Sequence, residues 1–213
     1  MPPDAWAAAV RDCDGTLRAA LDRPVKFFRF PLLHQGATAK QRNIAKAVLQ
    51  ELGYKNAHVT IDNSDYLIAA PYRVAVERGD TAGVRAYGRL MLRHDLAAVR
   101  HFRTVSTESL GRQVSHILLL HANEMTADNL DELLGALSAE GARFISLDEA
   151  LRDSAYRLED RYSGAKGLSW LYRLQESRAG APSPWEWDDS ASAGIDTELA
   201  RVLKRSGAGR APD

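Results

Sequence analysis

The sequence lacks several features that would narrow its class at once. It has one cysteine, Cys13, so no disulfide can form within the chain. Its 28 Lys and Arg residues equal its 28 Asp and Glu residues, and without a basic excess neither nucleic acid nor anionic lipid is an expected partner. No apolar run approaches the roughly 20 residues of a membrane span, and acidic residues close to Met1 argue against a secretory signal. As written, the chain is expected to be cytoplasmic.

What is present describes an ordinary globular protein. Of 213 residues, 45% are hydrophobic and 26% are charged, which is typical of one folded domain. The sequence from Ala179 onward is rich in Gly, Pro, Ser and Ala, a composition that disfavours a packed core. We therefore expect a folded domain over residues 1–178 and a disordered tail over residues 179–213.

Helix-like and strand-like patterns alternate through the predicted domain. Apolar residues at helical spacing, with capping or breaking residues beside them, predict helices at residues 4–21, from the cap Thr38 to Leu52, at 66–107 with a break near Gly79 and Asp80, and at 127–141. Aromatic, β-branched or continuous apolar runs predict strands at residues 25–30, 57–61, 114–120 and 143–146. This alternation indicates βαβ units and a parallel sheet.

Polar residues follow three of the predicted strands. Arg29 ends the first, Asp62 and Asp65 follow the second, and His121 ends the third. Because the carboxyl ends of parallel strands meet at one face of a barrel, we expect these side chains to converge there. Each also has a purely structural interpretation, as an ion pair of Arg29 with an aspartate, as a turn former or helix cap, or as a hydrogen-bonded core histidine.

The same positions resemble three motifs of the polysaccharide deacetylase, or NodB-homology, family of carbohydrate esterases, over about residues 5–175. The family's Arg-X-Pro motif resembles Arg29–Pro31, and its Asp-X-X-Asp-Trp motif resembles Asp62–Tyr66 with Tyr in place of Trp. Its Leu-X-His motif resembles Leu119–His121, and Gly167–Leu171 resembles a segment of one bacterial subgroup. The resemblance implies an α/β fold, a partial (β/α) barrel of the NodB-homology type with parallel strands alternating with helices and the N-terminal strands missing.

The activity that the resemblance implies is hydrolysis of N-acetyl or O-acetyl groups on a carbohydrate polymer, in carbohydrate metabolism or cell-wall modification. His121 would be the general acid, Asp65 the carboxylate that stabilises its protonated ring, and Arg29 the partner of the catalytic base. The acetylated carbohydrate would be the substrate and partner of the chain.

The resemblance also implies a set of substrate contacts. One residue would line the pocket for the acetyl methyl group, and the loop after the Arg-X-Pro motif would offer a backbone N–H to the oxyanion. The expected substrate-binding residues are Leu119 for the methyl pocket, Pro31 and Leu32 for the loop, and in addition Tyr66 and Asp62.

The family's metal site has no counterpart here. The Thr-Phe-Asp-Asp segment that holds the base and a metal-binding Asp is absent, and so is the His-X3–4-His segment; Asp14, in the first helix, is a poor substitute for the base. His94 and His101 lie two helical turns apart, too far for direct chelation, and a solvated helix face is expected there. We therefore predict no metal ligand and no cofactor in this chain, whereas a divalent metal, zinc above all, is implied for the complete family domain.

Two interpretations follow, and the sequence favours the first. In the first interpretation, the chain is a truncated form of an exported, metal-dependent deacetylase. Such an enzyme is a hydrolase of carbon–nitrogen bonds other than peptide bonds and works in the periplasm or outside the cell. Alternatively, it is a catalytically inactive fragment that binds a glycan or a protein partner. Removing the first strands of a barrel leaves an open apolar edge, so self-association through that edge is expected.

Overall fold

The computed structural model describes residues 2–176, 194–195, 197–202 and 204. The chain divides into two units. Unit 1 comprises Met1–Thr60, Val114–Ile117 and Leu147–Ala181. Unit 2 comprises Ile61–Gln113, Leu118–Ser146 and Pro182–Asp213.

Helices form most of the described structure. In chain order they are α1 (Pro3–Ala20), α2 (Ala39–Glu51), α3 (Tyr66–Glu77), α4 (Thr81–Leu110), α5 (Glu124–Ala139), α6 (Leu147–Ala150) and α7 (Trp170–Glu176). Short 3-10 turns lie at Pro31–Leu33 and Ser154–Arg157. The strands are β1 (Phe27–Phe28) and β2 (Lys55–Asn56), which pair in parallel.

The predicted partial (β/α) barrel is wrong. Helix accounts for 63% of the structure and strand for 3%. Among the described residues, the only sheet is the pair of β1 and β2, and one isolated parallel bridge joins Ile61 to Leu118. The predicted strand at 25–30 is reduced to β1, and the one at 57–61 keeps only the Ile61 bridge, since β2 lies just before it. Residues 143–146 form no strand. The barrel edge on which the predicted self-association depended therefore has no counterpart in the described part of the chain.

Within residues 114–120, two backbone donors pair with side chains, whereas the Leu119 N–H donates to the Ile61 carbonyl oxygen at 3.0 Å. The backbone N–H of Ser115 donates to Asp153 Oδ2 at 3.0 Å, and that of Ile117 donates to Thr60 Oγ1 at 2.7 Å. A backbone N–H away from water pairs with whichever acceptor lies within reach. The continuous apolar run therefore predicted burial of this segment, but it did not predict which acceptors its backbone N–H groups pair with.

The helix boundaries follow local signals in the sequence. Thr38 caps α2 in a capping box with Gln41, in which each side chain accepts from the backbone N–H of the other residue. The predicted break between α3 and α4 is confirmed, since Asp80 Oδ1 caps α4 by accepting from the Gly83 N–H at 2.9 Å. At the end of α4, Gly111 has a φ of 71°, the left-handed conformation that commonly ends a helix.

The apolar residues at helical spacing in α1 include Cys13 and Leu17, but the buried residues of the helix are Ala7 and Asp14. Cys13 is exposed, whereas Asp14 is 7% exposed. Asp14 accepts hydrogen bonds from Arg18 Nε at 2.7 Å and from the Tyr54 hydroxyl at 2.8 Å, and the Arg18 bond above all lowers the pKa of its carboxyl. Because donors satisfy both carboxylate oxygens, Asp14 is a structural residue of unit 1.

Each unit has an apolar core of its own. In unit 1 the cluster consists of Phe30, Ala45, Leu49 and Tyr54, with Trp6 packed against it. In unit 2 the helices α3, α4 and α5 bury a larger cluster that includes Ile68, Tyr72, Tyr87, Met91, Met125 and Leu133. The amphipathic faces predicted for these helices supply that cluster.

The predicted disordered tail, residues 179–213, lies largely outside the described residues. Within it, residues 194–195, 197–202 and 204 are helical. Ile195 and Val202 are 2% and 9% exposed and belong to the core of unit 2. None of the helices that the structure describes has both the length and the apolar character needed to cross a bilayer.

Candidate proton-transfer site

Two successive turns build the segment between the Ile61 bridge and α3. The backbone N–H of Ser64 donates to Asp62 Oδ1 at 3.5 Å, and the backbone N–H of Asp65 donates to Asn63 Oδ1 at 3.3 Å. Asp and Asn favour such turns because their side chains accept from the N–H two residues further on. Ser64 has a φ of 53°, in the left-handed region. The turns place Asp65 directly before α3.

Asp65 directs its carboxylate away from the helix that it precedes. It occupies the N-cap position of α3 but makes no capping hydrogen bond with its side chain. Instead, its Oδ1 lies 2.5 Å from His121 Nδ1, and its Oδ2 accepts from the backbone N–H of His121 at 3.0 Å. The interpretation of Asp65 as a helix cap is therefore wrong, and the structure brings the two residues together.

The pair combines a buried carboxylate with an accessible ring. The Asp65 side chain is 0% exposed and the His121 side chain is 40% exposed. Since a carboxylate only accepts, Nδ1 carries the proton that joins the two groups in the neutral ring. This selects one tautomer and leaves Nε2 as the atom that gains or loses a proton. The Tyr66 ring and the imidazole form a T-shaped pair, with 6.1 Å between ring centroids.

Behind the pair lie polar residues that sequence reasoning missed. Asn63 and Asp95 are both 0% exposed, and Asn63 Nδ2 donates to Asp95 Oδ1 at 2.8 Å. Burial, together with the charge of Asp65, raises the pKa of Asp95 to about 7. His94 is half-buried rather than solvated: its Nε2 donates to the Asn63 carbonyl oxygen, and burial lowers the pKa of its ring.

The position of Asp95 in α4 was the signal available in the sequence. It lies in line with the buried residues Tyr87, Met91, Ala98 and Phe102, which recur every three or four positions. An acidic residue in an apolar stripe is seldom buried without a polar partner. Such a residue therefore indicates a polar cluster beneath the helix.

The predicted catalytic Arg29 lies in unit 1, whereas Asp65 and His121 lie in unit 2. Arg29 follows β1, its side chain is exposed, and it makes no hydrogen bond or ion pair with the described residues of unit 1. The role of Arg29 therefore stays a prediction.

The loop after Arg29 has an unusual backbone. Leu32 and Leu33 have φ values of 52° and 53°, and Leu32 is 91% exposed. A Cβ on Gly167 would lie 1.7 Å from the Leu32 carbonyl oxygen, so only glycine permits this approach. Gly167 is the first residue of the Gly167–Leu171 segment, so this segment begins in contact with the loop. Left-handed conformations of bulky residues persist only where their surroundings impose them.

The other predicted substrate-binding residues are divided between the units. Leu119, Tyr66 and Asp62 lie in unit 2 with the His121–Asp65 pair, and Pro31 and Leu32 lie in unit 1. Leu119 is 7% exposed and Tyr66 is 56% exposed. Of these two residues, Tyr66 is the accessible one, and its ring contacts the imidazole.

The described residues do not fit the divalent metal that the family resemblance implies. They contain no group of three or more His, Cys, Asp or Glu side chains that could hold a metal ion. Both oxygens of Asp65 already pair with His121, one with its ring and one with its backbone. This carboxylate is therefore a hydrogen-bond acceptor in this chain.

A cleft of about 850 Å³ lies in unit 1. The α2 residues Asn43, Lys46 and Gln50 line it at helical spacing, and Trp170 lines it together with His58, 4.1 Å between ring centroids. Amide side chains both donate and accept hydrogen bonds, so this lining suits a ligand rich in hydroxyl groups.

Comparison with known proteins gives no relative. No protein-family model, no curated protein and no solved structure matches this chain. Its residues and their geometry are therefore the basis for a function.

Proposed function

We propose that this chain takes part in hydrolysing N-acetyl or O-acetyl groups on a carbohydrate polymer, with His121 as proton donor and Asp65 as the carboxylate that orients it. The observation that carries the proposal is the 2.5 Å contact of His121 Nδ1 with Asp65 Oδ1, between an accessible ring and a buried acid. The resemblance of Asp62–Tyr66 and Leu119–His121 to motifs of polysaccharide deacetylases supports the same roles.

The pair suits the second half of deacetylation. When the tetrahedral intermediate collapses, the bond from the acyl carbon to the leaving nitrogen or oxygen breaks, and the leaving atom takes the proton of His121 Nε2. The buried carboxylate of Asp65 stabilises the imidazolium before that transfer. The step releases acetate and a sugar amine or hydroxyl.

The first half of the reaction needs an activated water. The described residues hold no group of three ligands for a metal, so no residue of this chain is given a metal-binding role. In unit 2, His121 and Asp65 supply the proton transfer of the second half, and Tyr66 and Leu119 are predicted substrate contacts of the same unit.

The test is acetate release from an acetylated chito-oligosaccharide and an acetylated xylan by the full chain, with and without added Zn²⁺. The His121→Ala variant is expected to slow release at least about a hundredfold, because the leaving group loses its proton donor. Asp65→Asn should also slow release, since an amide does not stabilise the imidazolium. His101→Ala, which changes a histidine of α4 outside the pair, is the matched control and should keep the rate. An unchanged rate in His121→Ala would remove the proposed role.

The cleft in unit 1 favours one other function, the binding of a glycan without cleavage. The same oligosaccharides distinguish the two functions when NMR follows the side-chain amides of Asn43 and Gln50, which line that cleft. Shifts of these amides without acetate release would replace hydrolysis with binding.

A further inference from the structure

One buried carboxyl oxygen of unit 2 lacks a partner. Asp95 on α4 is 0% exposed, and while its Oδ1 accepts from Asn63, its Oδ2 makes no hydrogen bond with the residues that the structure describes. A buried polar atom without a partner is unfavourable and uncommon in folded proteins. Its position directly behind the His121–Asp65 pair points to a role in that pair.

Asn63 links Asp95 to Asp65. A carboxyl oxygen that accepts a hydrogen bond pairs only with the NH₂ end of the Asn63 amide, so Asp95 determines which way round that amide lies. The carbonyl oxygen of the amide then faces the backbone N–H of Asp65 and accepts from it at 3.3 Å. Asp95 therefore holds Asn63, and Asn63 holds the backbone that carries the Asp65 carboxylate.

The three buried side chains form one polar chain that ends at the imidazole. Asp95, Asn63 and Asp65 are each 0% exposed, and Asp65 then reaches both the ring and the backbone of His121. His94 also holds Asn63, because its Nε2 donates to the backbone carbonyl oxygen of Asn63. In a buried network of this kind the geometry of each member depends on its neighbours.

We propose that Asp95 is a positioning residue for the His121–Asp65 pair: through Asn63 it holds the Asp65 carboxylate against His121 Nδ1 and so sets the tautomer of the ring. The consequence for acetate release rests on the function proposed above. The tautomer of His121 is independent of that function, because it follows from the hydrogen bonds among Asp95, Asn63, Asp65 and His121.

The Asp95→Asn variant keeps the hydrogen bond with Asn63 while removing the charge, so it distinguishes loss of charge from loss of that contact. Burial raises the pKa of Asp95 to about 7, so near neutral pH a large fraction of the native group is the uncharged acid. An asparagine has the same shape, carries no charge and keeps an oxygen that accepts from Asn63. Asp95→Ala removes that acceptor, and Asp95→Leu removes it while filling the space with apolar atoms.

The experiment is ¹⁵N NMR of the His121 ring in the full chain, which reports which ring nitrogen carries the proton. In the native chain and in Asp95→Asn, the Nδ1–H tautomer should exceed the other about tenfold or more, as expected for a hydrogen bond to a buried carboxylate. Asp95→Ala should lose most of this preference. If Asp95→Ala does not fold, Asp95→Leu takes its place.

Thr126→Val is the matched control, because Thr126 Oγ1 is the other buried unpartnered atom found among the described residues and it lies in the same unit. This variant should leave the tautomer unchanged. A tautomer that is also unchanged in Asp95→Ala or Asp95→Leu would overturn the inference, as would an equal loss in Asp95→Asn. Absence of acetate release in every variant would instead reject the proposed function and leave the positioning role standing.

Discussion

Leu32 and Leu33 have almost the same positive φ but opposite burial. Their φ values are 52° and 53°, and they are 91% and 8% exposed. A left-handed conformation costs a bulky residue about 1–3 kcal/mol, and glycine avoids that cost. Substitution by glycine at these two positions therefore distinguishes the cost of backbone strain from the gain of side-chain burial.

Leu32→Gly is expected to raise the free energy of unfolding, by up to about 1 kcal/mol, because it relieves strain and removes little buried surface. Leu33→Gly should lower it by about 2 kcal/mol or more, because a buried side chain is lost. Urea unfolding of both variants measures the difference. Equal destabilisation by the two changes would mean that the Leu32 side chain, although exposed, stabilises the loop.

The candidate site shows which single residues a sequence reveals. Asp65 and His121 were identified because each follows an apolar run and resembles a family motif. Asn63 and Asp95 were not, although both are fully buried, because asparagine in a turn and aspartate on a helix are ordinary in sequence. Their importance depends on a contact between positions 32 residues apart.

At the scale of elements, α4 and α5 approach one another at Gly88. A Cβ on Gly88 would lie 2.4 Å from Asn129 Oδ1 and 3.2 Å from Asn129 Cγ. Asn129 is not free to move away, since its Nδ2 donates to the Met125 carbonyl oxygen at 2.7 Å. Gly135 of α5, in contrast, has no atom within 4 Å of a Cβ.

Gly88→Ala should therefore lower the free energy of unfolding, by about 1–2 kcal/mol, although alanine favours a helix. The control Gly135→Ala should raise it by up to about 1 kcal/mol, because only the helix preference changes. Thermal unfolding of both variants tests the pair. A gain in stability for Gly88→Ala would show that the helices separate at this point without cost.

Helices were predictable as elements and strands were not. Thr38, Asp80 and Gly111 mark helix ends through contacts within a few residues, and these signals appear directly in the sequence. A strand needs a partner from elsewhere in the chain. The segment 114–120 gives two of its backbone donors to Thr60 and Asp153 instead, and no pattern within the segment indicated this.

At the scale of the whole molecule, the two units contain buried ionisable groups with opposite effects on stability. In unit 1, burial and the charges of Arg173 and Lys46 lower the pKa of His58 from 6.5 to about 4. The unfolded chain then binds a proton that the folded unit excludes, so stability falls as pH drops through this window. In unit 2, the pKa of Asp95 rises from 3.8 to about 7, and stability falls as pH increases through that window.

We expect the variants His58→Gln and Asp95→Asn to remove these two dependences separately. Between about pH 4.5 and pH 6.5, the free energy of unfolding of unit 1 in the native chain minus that in His58→Gln should rise with pH. The same difference for unit 2, native minus Asp95→Asn, should fall with pH. Each slope should be at most about 1.4 kcal/mol per pH unit. Hydrogen exchange of the slowest amides in each unit, corrected for intrinsic rates, measures both slopes. Slopes of the same sign would contradict the assignment.

The sequence by itself determined the helices, their caps and breaks, and the order of Asp65 and His121 along the chain, because these depend on neighbouring residues and on local backbone preference. Only the tertiary structure decided the lengths of the strands, the division into two units and the burial of Asn63 and Asp95 behind the pair. Those features depend on contacts between distant positions, such as the 56 residues that separate Asp65 from His121. Contacts at that range arise from packing of the whole chain, which no single segment encodes.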